Sequence, residues 1–326
     1  MSELPFVWKK HGLVFGPSLL SDRPDWMQAF AQAPHVLPSG NVLRVYFNCR
    51  PKPDANGQYV SYCAYVDVDP VDMRRIVGYS KVPVLEPGGR GAFDEFGTYP
   101  MSVVEFEGRL LAYYGGWTRC ESVPFDVAIG CAESFDGGKT FVKMGKGPVL
   151  SCSPQEPFIL SGPKVRLFNG KLYLYYIAGR VWIDAEGKLE PVYKIRLAVS
   201  ENGIDWEKKN TDLIGDALSE YEAQASPDVI FSNGKYHMFF CYRQPSDFRR
   251  NRERSYRIGY AHSVDGETWQ RDDDRAGISI SETGFDNEMV AYPHVFTYEG
   301  HTWMYYLGNQ VGKEGFGLAE LMGELK

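Results

Sequence analysis

One segment of this chain is written five times, and that periodicity leaves few folds open to it. Ser226 to Arg243 reads SPDVIFSNGKYHMFFCYR: a proline-led apolar run, an Asn-Gly turn, then a returning run rich in Tyr and Phe. The same pattern occupies Ala33–Arg50, Tyr99–Arg119, Gly162–Arg180 and Tyr292–Gln310. Two apolar runs joined by a Gly-containing turn predict a β-hairpin. Proline suits the first residue of a strand, where its missing N–H does least harm. The leading prolines are Pro34, Pro100, Pro163, Pro227 and Pro293, at intervals of 66, 63, 64 and 66 residues. A regular period of this size marks a repeat architecture.

A third strand-like run follows each hairpin, starting at Tyr59, Asp126, Lys194, Tyr256 and Phe316. Three of these lead into a Ser-x-Asp/Asn-Gly turn with a following aromatic, Ser134 to Phe141, Ser200 to Trp206 and Ser263 to Trp269, and from there into a fourth strand. Four antiparallel strands repeated radially predict an all-β, five-bladed β-propeller, with residues 1–326 as a single domain. The last repeat ends before a fourth strand. Phe6–Phe15, FVWKKHGLVF, has the character of fourth strands elsewhere, such as Trp206-Glu-Lys-Lys. It is expected to complete the last blade, closing the ring and removing two exposed sheet edges.

The composition fits that fold and narrows the partners. Hydrophobic residues at 44% and aromatics at 14% supply a packed interior. A net charge of −7 argues against a general nucleic-acid or anionic-membrane surface. No run approaches membrane-spanning length, and the first residues lack a basic segment followed by an apolar signal run, so a cytoplasmic protein without membrane insertion is expected. The six cysteines, Cys49, Cys63, Cys120, Cys131, Cys152 and Cys241, show no CxxC or Cys/His metal spacing. Packed thiols are expected, although Cys49 and Cys63 lie in successive strands where a disulfide is conceivable. No cofactor or metal is implied, and the oligomeric state is not specified.

In an up-and-down blade the start of strand 1, the end of strand 2 and the loop between strands 2 and 3 share one rim. Polar residues ahead of each leading proline therefore converge on one mouth. Asp94, Glu156, Glu222 and Glu288 arrive there from four repeats, and Glu95, Glu222 and Glu288 each stand five residues before a leading proline. Arg50, Arg119, Arg180 and Arg243 close the second strands, with Trp117, Trp26 and Trp182 as aromatic platforms for a sugar ring. Gln224 lies among the acidic groups. His35 and His294, each directly after a leading proline, either donate to ligand hydroxyls or fill the channel. The loop DFRRNRERSYR, if folded over the mouth, offers guanidinium forks for a carboxylate or phosphate. The plain alternative is that the Glu–Arg pairs are salt bridges that hold the blades in register.

These residues carry a resemblance. Five proline-led repeats, an acidic mouth and S-x-D-G-x-x-W turns resemble the five-bladed glycosidases of glycoside hydrolase families 43 and 32. The turns themselves resemble the Asp box of sialidases, a folding turn away from the active site, which implies a structural role for Asp136, Asn202 and Asp265. The run GFDNEMVAYPHVFTYEGHTWMYYLGNQVGKEGFGLAEL resembles glycosidase-like proteins found with surface-polysaccharide biosynthesis genes. In family 43 the residue before the leading proline of the first blade is a catalytic Asp; here the five corresponding residues are Ala33, Tyr99, Gly162, Ser226 and Tyr292.

The resemblance implies a carbohydrate substrate and cleavage by a carboxylate pair, separated by about 6.5–9.5 Å for inversion or about 5–5.5 Å for retention. The expected roles are Glu222 as general acid, Asp94 or Glu288 as base, and Glu156 as the partner orienting them. Several arginines at the mouth imply an acidic or phosphorylated sugar, and the analogy with family 43 implies inversion. The alternative is a non-catalytic carbohydrate-binding or assembly propeller that has lost the acid/base pair.

Overall fold

The structure, a computed structural model, describes residues 4–326. Five four-stranded antiparallel sheets follow one another along the chain. The first holds β2 (Ala29–Ser39), β3 (Val42–Arg50), β4 (Tyr62–Val68) and β5 (Ile76–Tyr79). The second holds β6 (Gly97–Phe106), β7 (Arg109–Arg119), β8 (Phe125–Ser134) and β9 (Val142–Lys143). The third is β10 (Leu160–Phe168), β11 (Lys171–Ala185), β12 (Lys188–Ser200) and β13 (Glu207–Lys208). The fourth is β14 (Ala223–Ser232), β15 (Lys235–Arg243), β16 (Arg257–Ser263) and β17 (Gln270–Arg271). The fifth runs β18 (Ala291–Tyr298), β19 (His301–Leu307), β20 (Phe316–Leu321), and its outer place is taken by β1 (Trp8–Phe15).

The expected closure is therefore realised, with Trp8 opposite Leu321 and Phe15 opposite Phe316 in the β1–β20 ladder. The innermost strands close a ring of their own: β2 packs on β6, β6 on β10, β10 on β14, β14 on β18, and β18 back on β2. The fold is thus a five-bladed β-propeller.

Neighbouring blades are stitched by a repeated hydrogen bond. The Tyr46 hydroxyl of β3 donates to Gly138 O in the next blade's turn at 2.8 Å, Tyr113 of β7 to Gly203 O at 2.8 Å, and Tyr175 of β11 to Gly266 O at 2.9 Å. The receiving glycines have φ of +81°, +79° and +76°, and a Cβ on Gly138 would stand 2.2 Å from the Tyr46 hydroxyl. Only glycine allows both the left-handed backbone and that approach. Within each turn the carboxylate or amide does what the Asp-box resemblance implies: Asp136 Oδ1 accepts from the amides of Lys139 and Thr140, Asn202 Oδ1 from Ile204 and Asp205, and Asp265 Oδ1 from Glu267 and Thr268. These are turn-forming bonds of the Asx type.

All six cysteines are free thiols. Cys63 Sγ donates to Thr98 O at 2.8 Å, and Cys49 Sγ faces the carbonyls of Trp26 and Tyr62. Among the described residues, no helix is long and apolar enough to cross a membrane.

Candidate functional site at the propeller mouth

The acidic residues expected at the mouth prove to be anchors inside individual blades, and this corrects the roles given to Asp94, Glu156 and Glu222. Each is buried, with exposures of 1%, 0% and 0%. Each takes a cation from its own blade's fourth strand: Lys143 of β9 is 2.5 Å from Asp94, Lys208 of β13 is 2.6 Å from Glu156, and Arg271 of β17 is 2.6 Å from Glu222. Asp286, 3% exposed, completes the series with Lys10 of β1 at 2.6 Å. A tyrosine hydroxyl of the second strand donates to the same carboxylates, Tyr114 to Asp94 at 3.0 Å, Tyr176 to Glu156 at 2.7 Å and Tyr306 to Asp286 at 3.0 Å.

In the fourth blade that position is Phe240, which has no hydroxyl to give. Gln224 Nε2 donates to Glu222 instead at 3.0 Å, and the amides of Ala217 and Leu218 add two more bonds at 3.0 Å. Glu222 is therefore ringed by donors. Gln224, expected to face substrate, is 0% exposed and donates to Glu222, Ile214 O and Asp216. A general acid must reach a leaving-group oxygen, and a carboxylate sealed beneath its own blade does not.

The channel behind the mouth is filled by a second polar cluster, built from the residues that directly follow leading prolines. Lys164, Asp228 and His294 are 4%, 0% and 0% exposed, and His35 is 2% exposed. Asp228 accepts from Arg166 at 2.5 Å and from the Val295 amide at 2.7 Å, and lies 2.9 Å from His294 Nδ1. The Val36 amide donates to His294 Nε2 at 2.9 Å, so that nitrogen carries no proton. His35 Nε2 lies 2.7 Å from Val103 O, and the two imidazoles are 4.6 Å apart.

Burial pushes His294 down to about 3 and Lys164 down to about 8, and His35 well below its usual value. Burial alone would raise Asp228, yet Arg166, His294 and Lys164 hold it well below the usual carboxylate range. His35 and His294, expected as possible ligand contacts, thus take the other expected role and fill the channel.

Above this floor lies the surface that remains open to chemistry. Arg50, at the end of β3, is a guanidinium with no hydrogen bond or ion pair among the described residues, and its Nε is buried without a partner. Phe30 and Tyr59 cover it, their ring centres 4.6 and 5.3 Å from its Cζ. Burial lowers its pKa from the usual value, with Tyr99, Tyr59 and Tyr292 acting the other way and Arg249 adding to the fall. Tyr99 and Tyr292 occupy two of the pre-proline positions. Burial raises Tyr99 to about 12 and Tyr292 well above its usual value, so both remain neutral hydroxyls. Ser226, at a third pre-proline position, is 3% exposed with its hydroxyl unpartnered. Tyr193 and Tyr256 join through their hydroxyls at 2.8 Å, and Tyr256 packs 6.0 Å from Tyr292.

The other arginines divide into supports. Arg243 is 1% exposed and saturated: it donates to Tyr256 and Tyr193 hydroxyls and to the carbonyls of Pro191, Gln244 and Pro245. Its expected substrate contact is corrected to a structural one. Arg180 is paired with Asp212, which also holds Arg196. Arg119 lies over Phe96, bonds Tyr59 O at 3.1 Å and pairs with Asp54 at 3.4 Å. It thereby steadies the loop that places Tyr59 over Arg50. Trp117 is half-buried and leans on Phe96, Trp26 on Tyr62 and Trp182 on Phe125. In the Arg-rich loop, Arg249 is paired with Glu190 and Arg254 with Ser246. Glu288 alone of the four expected carboxylates is exposed, and its side chain has no partner among the described residues.

The mouth residues Phe30, Tyr59, Tyr99 and Tyr292 lie outside the expected site set. The signal for two of them is the pre-proline position itself, which carries Tyr in two repeats. Among the described residues, no cluster of His, Cys, Asp and Glu suits a metal ion.

No protein-family model matches the chain. It is 34% identical over 318 residues to the uncharacterised protein Rv1502 of Mycobacterium tuberculosis strain H37Rv, covering 97% of this chain and 99% of that protein. The uncharacterised protein MT1551 of M. tuberculosis strain CDC 1551 matches to the same extent. Among solved structures, a GH130 protein from work on mannoside phosphorylases and β-1,2-mannoside hydrolases superposes with a TM-score of 0.70 at 14% identity, over 98% of this chain and 95% of that one. A thermostable family-43 glycoside hydrolase superposes with 0.60 at 14%, over 91% and 94%. BT0996, in its RGII complex, does so with 0.71 at 14%, over 99% and 92%. At these identities the likeness is one of fold, a glycoside hydrolase-like propeller.

Proposed function

This chain belongs to the family of the uncharacterised M. tuberculosis proteins Rv1502 and MT1551, and from its glycoside hydrolase-like propeller we propose that it binds an anionic sugar at the mouth through Arg50. The observation that carries this reading is the guanidinium between Phe30 and Tyr59, which has no counter-ion among the described residues. A buried, unpaired charge is costly unless something brings the opposite charge to it. A carboxylate or phosphate on a sugar would do so by a charge-assisted fork of hydrogen bonds. The aromatic plates suit the apolar face of a pyranose. Tyr99, Tyr292 and Ser226 supply neutral hydroxyls for the ring oxygens.

The same geometry favours binding over hydrolysis by the expected set. Asp94, Glu156 and Glu222 are each sealed against a cation of their own blade, so no two of them face one another across an open pocket. A hydrolytic reading rests on Glu288, the member of the set that is exposed. Titration calorimetry with glucuronic acid, glucose 6-phosphate and glucose tests the proposal. The two anions are expected to bind and glucose to bind at least tenfold more weakly, with the discrimination lost in Arg50→Gln. Equal binding of glucose, or undiminished discrimination in Arg50→Gln, overturns it. Aryl-glycoside and sugar-phosphate turnover that disappears in Glu288→Gln would restore the hydrolase.

A further inference from the structure

The seam where the first blade meets the last carries a cleft of about 470 Å³, within the size range of small-ligand sites. Gln28 and Ala29 line one side, and Glu288, Gln310, Lys313 and Glu314 line the other. The cleft adjoins the mouth through the backbone. Ala29 pairs with Arg50 in the β2–β3 ladder, and the amide of Phe30, one of the plates on Arg50, donates to Lys313 O at 3.2 Å. The side chains of Glu288, Gln310, Lys313 and Glu314 have no hydrogen-bond or ion-pair partner among the described residues. They offer the mixture of acceptors and donors that a sugar's vicinal hydroxyls need.

An independent observation marks the same wall. Gln310 and Val311 have φ of 53° and 56°, and Phe30 across from them has φ of 66°. A β-branched residue in the left-handed region is a genuine outlier, and such strain persists only where the surroundings over-determine it. Here they do. Gln32, 3% exposed, donates from Nε2 to Val311 O at 2.6 Å, and the Val311 amide meets Met289 Sδ at 3.3 Å. The fold thus commits a buried amide to hold a strained turn that directs the exposed Gln310 out along the cleft. Strain of this kind gathers at ligand sites.

We propose that this seam cleft is a second sugar subsite, taking the neutral residue joined to the anionic sugar at Arg50, so that the ligand is at least a disaccharide. This rests on the mouth reading given above. The lining favours a neutral, hydroxyl-rich unit, because two carboxylates stand there against one ammonium and disfavour a second anion.

The test compares anionic disaccharides with their anionic halves: cellobiuronic acid against glucuronic acid, and trehalose 6-phosphate against glucose 6-phosphate. At least one disaccharide is expected to bind tenfold or more tightly than its monosaccharide. Val311→Gly, which accepts the left-handed turn without strain, should keep or raise Tm while reducing that advantage to less than threefold. Glu288→Gln should reduce it with Tm unchanged. Equal affinities for both disaccharide and monosaccharide pairs, or an advantage that survives both substitutions, overturns the subsite. If cellobiose binds as tightly as cellobiuronic acid and both weaken in Val311→Gly, the cleft stands and the anion reading of Arg50 falls. If none of the sugars binds, both fall.

Discussion

The molecule treats its two kinds of buried charge in opposite ways. In four blades a carboxylate beneath the loop to strand 1 is given a cation from the fourth strand and hydroxyl or amide donors besides. At the mouth, a guanidinium is given aromatic plates and nearby neutral hydroxyls, but no anion among the described residues. The first arrangement is complete without a ligand, and the second is not. The fold-mates of this propeller include glycoside hydrolases; here the acids that looked like their machinery are paired within the blades, and the proposed recognition rests on a cation.

The contrast breaks most readily at an anchor. Glu156→Gln leaves Arg196 and Lys208 facing an uncharged group in a dry site, and breaking a buried pair costs roughly 3–5 kcal/mol. Urea unfolding is expected to show that loss, while the sugar affinity of the folded fraction stays unchanged. A variant of wild-type stability that loses sugar binding or turnover would return Glu156 to the site and erase the distinction.

That anchor also shows how far the sequence could be read. The fivefold period, the closure by Phe6–Phe15 and the Asx turns were all legible, because each follows from strand and turn chemistry repeated at a fixed interval. The site was legible only as a rim. Counting back from the prolines aligns Glu95, Glu222 and Glu288, whereas the structure aligns Asp94, Glu156, Glu222 and Asp286, at offsets of 6, 7, 5 and 7. Loops before strand 1 vary in length, so an offset cannot say which carboxylate points inward. The missing clue was the partner. Lys10, Lys143, Lys208 and Arg271 recur in fourth strands, and the likeness of Phe6–Phe15 to Trp206-Glu-Lys-Lys already contained two of them, Lys10 and Lys208. Arg50 had the reverse fate. Position groups it with Arg243 and Arg180, but the pairing that separates them depends on Pro191, Tyr193 and Asp212, which are remote in sequence.

Acid is expected to act on the channel imidazoles. His294 sits near 3 in the folded protein and near 6.5 when exposed, and His35 is also depressed. Between those values the unfolded chain binds more protons, so stability falls as pH drops from about 6.5 towards 3, by up to about 1.4 kcal/mol per pH unit for each imidazole. Lys164 gives the same sign in another window: the unfolded chain holds more protons between about 8 and 10.5, so this residue's contribution to stability rises with pH there. Denaturation midpoints across pH 4–7 should lose part of that slope in His35→Gln. A flat profile in the parent protein would mean that the imidazoles are not held neutral.

On the other side of the comparison, Arg50→Gln removes a charge that has no ion-pair partner among the described residues. Binding of glucuronic acid or glucose 6-phosphate should fall 10- to 100-fold, about 1.4–2.8 kcal/mol. Stability should hold or rise, because a half-buried charge with no ion-pair partner among the described residues is removed. A loss of stability like that of Glu156→Gln would place Arg50 among the structural charges after all.

The smallest expected effect sharpens the comparison by separating single hydrogen bonds from ion pairs. Tyr113→Phe deletes the hydroxyl that joins the second blade to Gly203 of the third and leaves the ring in place. The Gly203 carbonyl loses one partner, and a neutral hydrogen bond of this kind is worth about 0.5–1.5 kcal/mol. Tyr176→Phe deletes a hydroxyl that donates to the Glu156 carboxylate, and bonds to a charged group are worth about 1.5–3 kcal/mol. The two substitutions remove the same atom from the same kind of ring. Their difference in unfolding free energy therefore measures what the buried charge adds. If Tyr113→Phe proves as damaging as Tyr176→Phe, stability lies in the stitching between blades, and the carboxylates are freer than their burial implies.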